Sequence, residues 1–356
     1  MPKITFVDPE GTTTEVEVDP RSDNLLEIAE ENGAKLGTAC GGVCACSSCH
    51  VYITAGLDSL EDAEEDEEDR LDMGFDVRPN SRLGCQCVVQ DADLRVEISQ
   101  ESLEAWYNEH PDRRHEKVKA EAKSIWASAQ PAKPEQGYLK RKGIKSYNLR
   151  QTKCDGLDVL LVEARDADGN LWSLQRIYPD GNKLFLKDGR SSGMMHTLGE
   201  PTPTRVIAEG FSTGASIHEA TGHCVHVAFT AGNLLSVAEV IRKAHPDTDL
   251  VIAADDDWKT KGNPGLTKAT EAARSCGAKL AIPTWPEDQR GEKDTDFNDL
   301  ALSQGPAHVK TCIGRAAPPQ EEVESAEGQH AIFKRLSTLS LIEYDRTRTA
   351  EAKKLG

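Results

Sequence analysis

Cys40-x5-Cys46-x2-Cys49, with 35 residues between Cys49 and Cys85, constrains this chain more than any other feature. Four thiolates gathered in one place hold either an iron–sulfur cluster or a zinc ion, so the fold must bring a compact loop to a distant cysteine. Structural zinc sites usually rest on two CxxC knuckles, and only one is present, Cys46-x2-Cys49. The residues between the thiols are small: Gly41, Gly42, Ala45, Ser47 and Ser48. They let backbone N–H groups approach cluster sulfurs, which agrees with an iron–sulfur cluster. Cys44 and Cys87 lie off the spacing and read as free thiols.

The text around these cysteines alternates short strands and helices. Lys3–Val7 and Thr14–Val18 read as a hairpin around Asp8-Pro9-Glu10-Gly11. Asp23 or Asn24 can cap a helix from about Leu25 to Asn32, stopped by Gly33. A strand is expected at Val51–Thr54, an acidic helix from about Leu60 to Met73, and strands near Val88–Gln90 and Leu94–Ile98. Charge is uneven: residues 1–112 hold 7 Lys+Arg against 27 Asp+Glu, while the rest is close to neutral. An acidic module disfavours nucleic acid and favours a basic protein partner.

Three segments carry a family resemblance: Thr38-Ala39-Cys40-Gly41-Gly42, Ala45-Cys46-Ser47-Ser48-Cys49-His50 and Ser81-Arg82-Leu83-Gly84-Cys85-Gln86. With five residues in the first gap, they resemble the adrenodoxin-like [2Fe–2S] ferredoxins, including those of iron–sulfur assembly, over about residues 1–108. The resemblance implies an α+β, β-grasp domain carrying one electron, with Cys40, Cys46, Cys49 and Cys85 as ligands. It also implies that the acidic helix docks a ferredoxin reductase or redox acceptor. Glu65, Glu68, Asp69 and Asp72 share one helical face by spacing.

Past residue 98 the pattern changes. Ser102–His110 and Asp112–Ser128 read as helices separated at Pro111, and Pro131 and Pro134 break the second. Leu157–Ala164, Leu171–Tyr178 and Lys183–Lys187 read as antiparallel strands. Before them Lys140, Arg141, Lys142 and Lys145 form a basic cluster, a candidate nucleic-acid surface or a solvated loop. From residue 204 strands and helices alternate, which implies a parallel sheet with helices on both faces. Ligand sites in such sheets lie at the carboxyl ends of strands, where Glu209, Asp255 and Asp257 fall.

Ile207-Ala208-Glu209-Gly210, Ala253-Ala254-Asp255-Asp256-Asp257 and Asp294-Thr295-Asp296-Phe297-Asn298-Asp299 together resemble the Toprim domain, a Rossmann-like α/β fold, in its phage and plasmid primase form. That resemblance implies Glu209 as general acid/base in nucleotidyl transfer. It implies Asp255 and Asp257 as Mg²⁺ ligands, with Asp296 and Asp299 assisting, and single-stranded DNA and nucleotides as partners. The expected organisation is a ferredoxin domain at 1–110, a helical linker and small antiparallel β subdomain at 111–203, Toprim at 204–312, and a linker with C-terminal helices at 313–356. Primases of this kind usually open with a zinc module, and here a ferredoxin stands in its place. The helical pattern from Ala331 to Leu355 reads like the start of something longer, as in a fragment, a fusion or a chimera. Two functions fit: an electron carrier fused to a Mg²⁺-dependent phosphotransferase on DNA, or an electron carrier beside a catalytically silent DNA- or partner-binding module. No apolar run approaches the roughly 20 residues of a membrane span, and Met1–Gly11 is no secretory signal, so a cytoplasmic setting is expected.

Overall fold

The computed structural model describes residues 1–319; the expected helices at Ala331–Leu355 lie outside them. The chain divides into two compact units, Met1–Glu121 with Lys187–Gly189, and Ala122–Leu186 with the residues from Arg190 onward.

The first unit contains β1 (Lys3–Val7), β2 (Thr13–Glu17), α1 (Leu25–Asn32), β3 (His50–Ala55), α2 (Glu65–Leu71), β4 (Ser81–Leu83), β5 (Leu94–Ile98) and α3 (Gln100–Glu109), and α4 (Pro111–Ser128) follows. Its sheet runs β2-β1-β5-β3-β4. β1 pairs parallel with β5 and antiparallel with β2, the mixed pattern of a β-grasp fold. Along β1, Ile4 and Phe6 face the core and alternate with exposed or half-exposed residues, as a one-sided sheet requires. Asn24 caps α1: its side chain accepts from the Glu27 N–H, the Glu27 carboxylate accepts from the Asn24 N–H, and Gly33 closes the helix left-handed.

Two elements differ from their sequence expectation. The acidic helix spans only Glu65–Leu71, because Arg82 Nη1 donates to the Glu61 carbonyl at 2.8 Å and holds that stretch outside the helix. No strand forms near Val88–Gln90 beyond a single bridge from Val88 to Asn24. That backbone instead accepts from the entry to α1, Arg21 N–H to Val89 O and Leu25 N–H to Cys87 O.

The second unit begins with β6 (Gln130–Pro131), α5 (Gly137–Lys142), β7 (Arg150–Cys154), β8 (Leu157–Arg165), β9 (Leu171–Ile177) and β10 (Lys183–Phe185). These strands form an antiparallel sheet ordered β10-β9-β8-β7-β6. There follow β11 (His196–Leu198), β12 (Thr204–Ala208), α6 (Phe211–Thr221), β13 (Cys224–Val227), α7 (Leu234–Ala244), β14 (Asp249–Ala253), α8 (Pro264–Ser275), β15 (Lys279–Ala281), α9 (Phe297–Gln304) and α10 (Pro306–Gly314). The second sheet runs β11-β13-β12-β14-β15; it is parallel except for β11, an antiparallel edge strand. Its central strands are buried on both faces, as crossover helices require. Val206 and Ala208 join a core with Phe211, Phe297 and the antiparallel sheet's Leu160 and Val162, while Ile207 and Ile252 pack with Val237 and Ala272 on the other face. No helix of the described residues is long and apolar enough to cross a membrane.

Gly37 allows α3 to lie directly on the segment leading into the cysteine loop. A Cβ there would stand 2.1 Å from the Trp106 nitrogen and 2.7 Å from the Ser102 carbonyl oxygen, both backbone atoms that cannot step aside. Gly37→Ala should therefore destabilise the first unit by about 1–3 kcal/mol or more, the cost of overpacking. A lowered urea midpoint, followed through Trp106 fluorescence, checks this.

Candidate functional sites

The four spaced thiols gather toward one edge of the first unit as two pairs, and no three of them are grouped to hold a single ion. Cys49 at the start of β3 and Cys85 just after β4 are buried, with their sulfurs 3.5 Å apart. Cys40 and Cys46 are half-buried in the loop between α1 and β3. That loop turns on left-handed residues, Gly41 at φ 69°, Gly42 at φ 82° and Cys44 at φ 54°. Polar groups close around the sulfurs. Ser48 Oγ lies 2.9 Å from Cys46 Sγ, Gln86 Nε2 donates to Cys85 Sγ at 3.2 Å, and Thr38 Oγ1 stands 3.9 Å from Cys40 Sγ.

Burial opposes ionisation of Cys40, yet the Ala45 N–H, the Cys46 thiol, the Gly42 N–H and the Thr38 hydroxyl bring it down to about 7. The Cys49 thiol is foremost in bringing Cys85 down to about 6, against burial and helped by Gln86. Cys49 is correspondingly pushed up, by that hydrogen bond to Cys85 and then by burial. The thiols thus stand as two pairs, Cys40 with Cys46 and Cys49 with Cys85. Two thiolates per iron is what a two-iron cluster asks for, so the donor set fits. Cys87 is buried and pushed up to about 12, as a thiol used for packing would be.

The loop is held from several sides. Ser102 Oγ accepts from the Gly37 N–H, Glu109 from the Thr38 N–H, and Glu101 joins Ser47 Oγ at 2.6 Å to the Phe75 N–H at 3.0 Å. The acidic helix also supplies an internal tie that sequence reasoning missed. Glu67 turns inward and receives Arg82 Nε and Nη2 at 2.8 and 2.9 Å and the Leu83 N–H at 2.7 Å. Its neighbours Glu65, Glu68, Asp69 and Asp72 all remain exposed. Only the i, i+4 neighbour Leu71, also buried, hinted that one acid of the run faces inward.

The second site lies at the carboxyl ends of β12 and β14. Glu209 follows β12, Asp255 and Asp257 follow β14, and Asp296 caps α9 by accepting the Asp299 N–H at 2.8 Å. These four carboxylates feel one another. Burial, then Asp257, raises Glu209, against Lys183 and the Ala231 N–H. Burial, then Asp296, Glu209 and Asp257, raises Asp255 well above the carboxylate range. Asp296 is raised by burial and then by Asp299, against Lys142 and Thr213. Asp255 Oδ1 is buried without a hydrogen-bond partner. No three His, Cys, Asp or Glu of the described residues are grouped to hold one ion alone. Mg²⁺ does not need such a cage, because it keeps water and phosphate oxygens beside one or two carboxylates. An orphaned carboxylate oxygen among raised acids therefore fits that ion.

Asp257 Oδ2 accepts the Gly265 N–H at the start of α8, at 3.2 Å. Asp299 stands slightly apart, accepting the Thr295 N–H and pairing with Lys142 Nζ at 3.6 Å. Asp256 points elsewhere, held by Asn263 Nδ2 at 2.6 Å and Arg290 Nη1 at 2.7 Å. The basic run before the sheet disperses. Lys142 reaches the acid site, Arg141 donates to the Pro179 carbonyl, the Lys145 N–H donates to Glu219, and Lys140 is exposed on α5. Lys183, on β10, is the site residue that sequence reasoning missed. Nothing in the linear pattern links it to residues 209 and 255; only the packing of the two sheets does.

Together the two sites define an iron–sulfur electron-transfer domain joined to a Toprim domain. A 2Fe-2S iron-sulfur cluster binding domain model matches residues 7–90, and a Toprim domain model matches residues 204–307. In its N-terminal part the chain belongs to the 2Fe-2S ferredoxins. It is 43% identical over 108 residues to the 2Fe-2S ferredoxin of Haemophilus influenzae, covering 29% of this chain and 93% of that one. It is also similar to the DNA primase TraC of Escherichia coli, 40% identical over 187 residues, or 49% of this chain; the chain spans 17% of that primase's length. The crystal structure of the covalent putidaredoxin reductase–putidaredoxin complex matches at 32% identity over 27% of this chain and 96% of that one, with a TM-score of 0.25.

Glu209, Asp255 and Asp296 are all raised, so crowding acids at this half-buried site costs the folded protein stability. Replacing Asp255 by Asn removes the cost of holding that acid, charged or protonated, beside Asp296, Glu209 and Asp257, and should raise the thermal midpoint of the second unit by about 2–4 °C per kcal/mol relieved, in chelator-treated protein. Calorimetry of both proteins checks this, and an unchanged or lowered midpoint would contradict the electrostatic account.

Proposed function

We propose that the chain is a one-electron carrier whose Toprim half performs Mg²⁺-dependent nucleotidyl transfer on DNA. The ferredoxin reading rests on the paired thiols at a half-exposed edge, with Cys40, Cys46, Cys49 and Cys85 as the ligands. When bound, a [2Fe–2S] cluster supplies a one-electron couple. The chain's own part is to order the sulfurs: the Ser48, Thr38 and Gln86 side chains place polar groups against them, which helps to set the potential. Val43, at the outer rim of the loop, is 72% exposed, so an electron donor can come close.

The exposed face of Glu65, Glu68, Asp69 and Asp72 supports docking of a basic reductase or acceptor. Surface charge of one sign speeds encounter with a partner of the opposite sign and loses effect in salt. Reversing two of these charges, Glu68→Lys with Asp69→Lys, should slow reduction by a ferredoxin reductase about ten-fold or more at low ionic strength, within the range of electrostatic steering. Stopped-flow reduction at two salt concentrations reads this, and equal rates would remove the helix from the docking surface.

The observation that carries the second half is the convergence of Glu209, Asp255, Asp257 and Asp296 around the unpartnered Asp255 oxygen. When bound, Mg²⁺ supplies positive charge to phosphoryl oxygens. Asp255 and Asp257 are the residues to hold it, with Asp296 and Asp299 ordering the adjoining α9 terminus. Glu209, raised by burial and by Asp257, can hold a proton at its carboxyl, as a general acid/base must. Lys183 and Lys142 bring positive charge to the same place, suited to the phosphates of a nucleotide or of single-stranded DNA. None of the ten cysteines is paired in a disulfide, which suits a reducing, cytoplasmic setting. Glu209→Gln keeps the side chain's shape and removes its proton chemistry. It should abolish template-directed primer synthesis in Mg²⁺ while leaving the visible spectrum of the protein unchanged. Undiminished synthesis by this variant would leave the second half as a binding module.

A further inference from the structure

Beside the carboxylate site stands a group of aromatic and cationic side chains with no part in the acid chemistry. Trp258 follows Asp257 directly and is 46% exposed, the only tryptophan among the exposed large apolar side chains of the described residues. Its ring faces the Arg290 guanidinium at 5.0 Å, and the same guanidinium lies 4.6 Å from the ring of Trp285. Lys259 Nζ approaches the Trp258 ring at 4.9 Å. Charge and aromatic face thus alternate, as in cation–π recognition.

The group is held firmly. Arg290 donates to Asp256 Oδ2 at 2.7 Å, to the Asp256 carbonyl at 2.9 Å and to the Asp294 carbonyl at 3.0 Å. Trp285 Nε1 donates to Ser303 Oγ at 3.1 Å, and the Trp258 N–H donates to the Asp256 carbonyl at 2.8 Å. Asp256 lies between Asp255 and Asp257 in sequence, so the bonds that fix Arg290 also fix the aromatic group beside the acid site. A preordered ring loses little freedom when a flat ligand covers it.

We propose that Trp258, backed by Arg290 and Trp285, is a stacking platform for a base of single-stranded DNA led to the carboxylate site. Every base offers a π-face, so such a platform grips a strand without reading its sequence. Lys259 and Lys261, both exposed on the same loop, are placed to meet the strand's phosphates. The ion pair between Lys259 and the 91%-exposed Glu292 is open to water at 3.7 Å and offers little resistance to that exchange. This inference rests on the reading of the second half as a nucleic-acid enzyme and names how that site would hold its strand.

The test measures binding without turnover, on the full chain. A fluorescein-labelled oligodeoxythymidylate of about 12 nucleotides, within the span of one single-strand site, is titrated with wild type, Trp258→Ala and Trp258→Phe. ATP is titrated in a second arm. Trp258→Ala should weaken oligonucleotide binding about ten-fold, the cost of losing one stacked base, and Trp258→Phe should retain most of the affinity. Intrinsic tryptophan fluorescence should be quenched by the oligonucleotide in wild type and less so in both variants. Equal affinity of wild type and Trp258→Ala, or no binding by wild type, overturns the proposal. A loss confined to ATP overturns it too, by assigning the ring to an incoming nucleotide. Because no turnover is read, a failed platform leaves the Glu209 experiment standing, and a failed Glu209 experiment leaves the platform standing.

Discussion

Like charge gathered where water is scarce is the constraint around which both halves are built. Four thiols in one half, and four carboxylates in the other, cannot all ionise side by side without a cation to answer them. The protein meets this in the same way twice. It shares protons within the set, as Cys49 does with Cys85, or holds acids above their ordinary range, as with Glu209, Asp255 and Asp296. Both arrangements are costly in the bare protein and suit a positively charged inorganic group. What differs is ligand softness: thiolates suit iron, and carboxylates suit a hard divalent ion.

Keeping such sets together requires supports that carry no charge to the site. In the first unit the Glu67–Arg82 pair is such a support, since both partners are buried and hydrogen-bonded in a fork, so that neither charge stands alone. Through Leu83 it fixes the strand that leads to Cys85, and through the Glu61 carbonyl it fixes the approach to α2. One acid of a run otherwise turned to water is thereby spent on architecture. In the second unit Arg290 does comparable work. It draws Asp256 away from its neighbours, so that Asp255 and Asp257 can face the site without a third charge between them.

The ends of strands explain why the second site lies where it does. β12 and β14 are adjacent and parallel, so their carboxyl ends emerge together and place Glu209 beside Asp255. The α9 terminus then adds Asp296, tied to α6 through Thr213 Oγ1 at 3.0 Å. The antiparallel sheet contributes Lys183 from its edge strand, because Leu160 and Val162 share a core with Val206 and Ala208. A short sheet that looked like a preface to the Toprim fold therefore supplies a cation to its acid site.

Much was legible in the order of residues alone. The cysteine spacing, a helix cap at Asp23 or Asn24, the strand–helix alternation after residue 204 and the acids at strand ends are local patterns, and local sterics and hydrogen bonding enforce them. The pairing of the four thiols, the inward turn of Glu67, the shortening of the acidic helix, the approach of Lys183 and the Trp258–Arg290–Trp285 group were not legible. Each depends on residues distant in sequence, brought together by packing. A charge run looks uniform until one member finds a buried partner, and a lysine in a strand looks solvated until another sheet closes beside it. The sequence by itself determined which ligand types the two sites could offer, since side-chain chemistry is written residue by residue. Only the tertiary structure decided which of those groups meet and which are neutralised by a neighbour, because charge interactions are set by distance and burial, and neither is written in the order of residues.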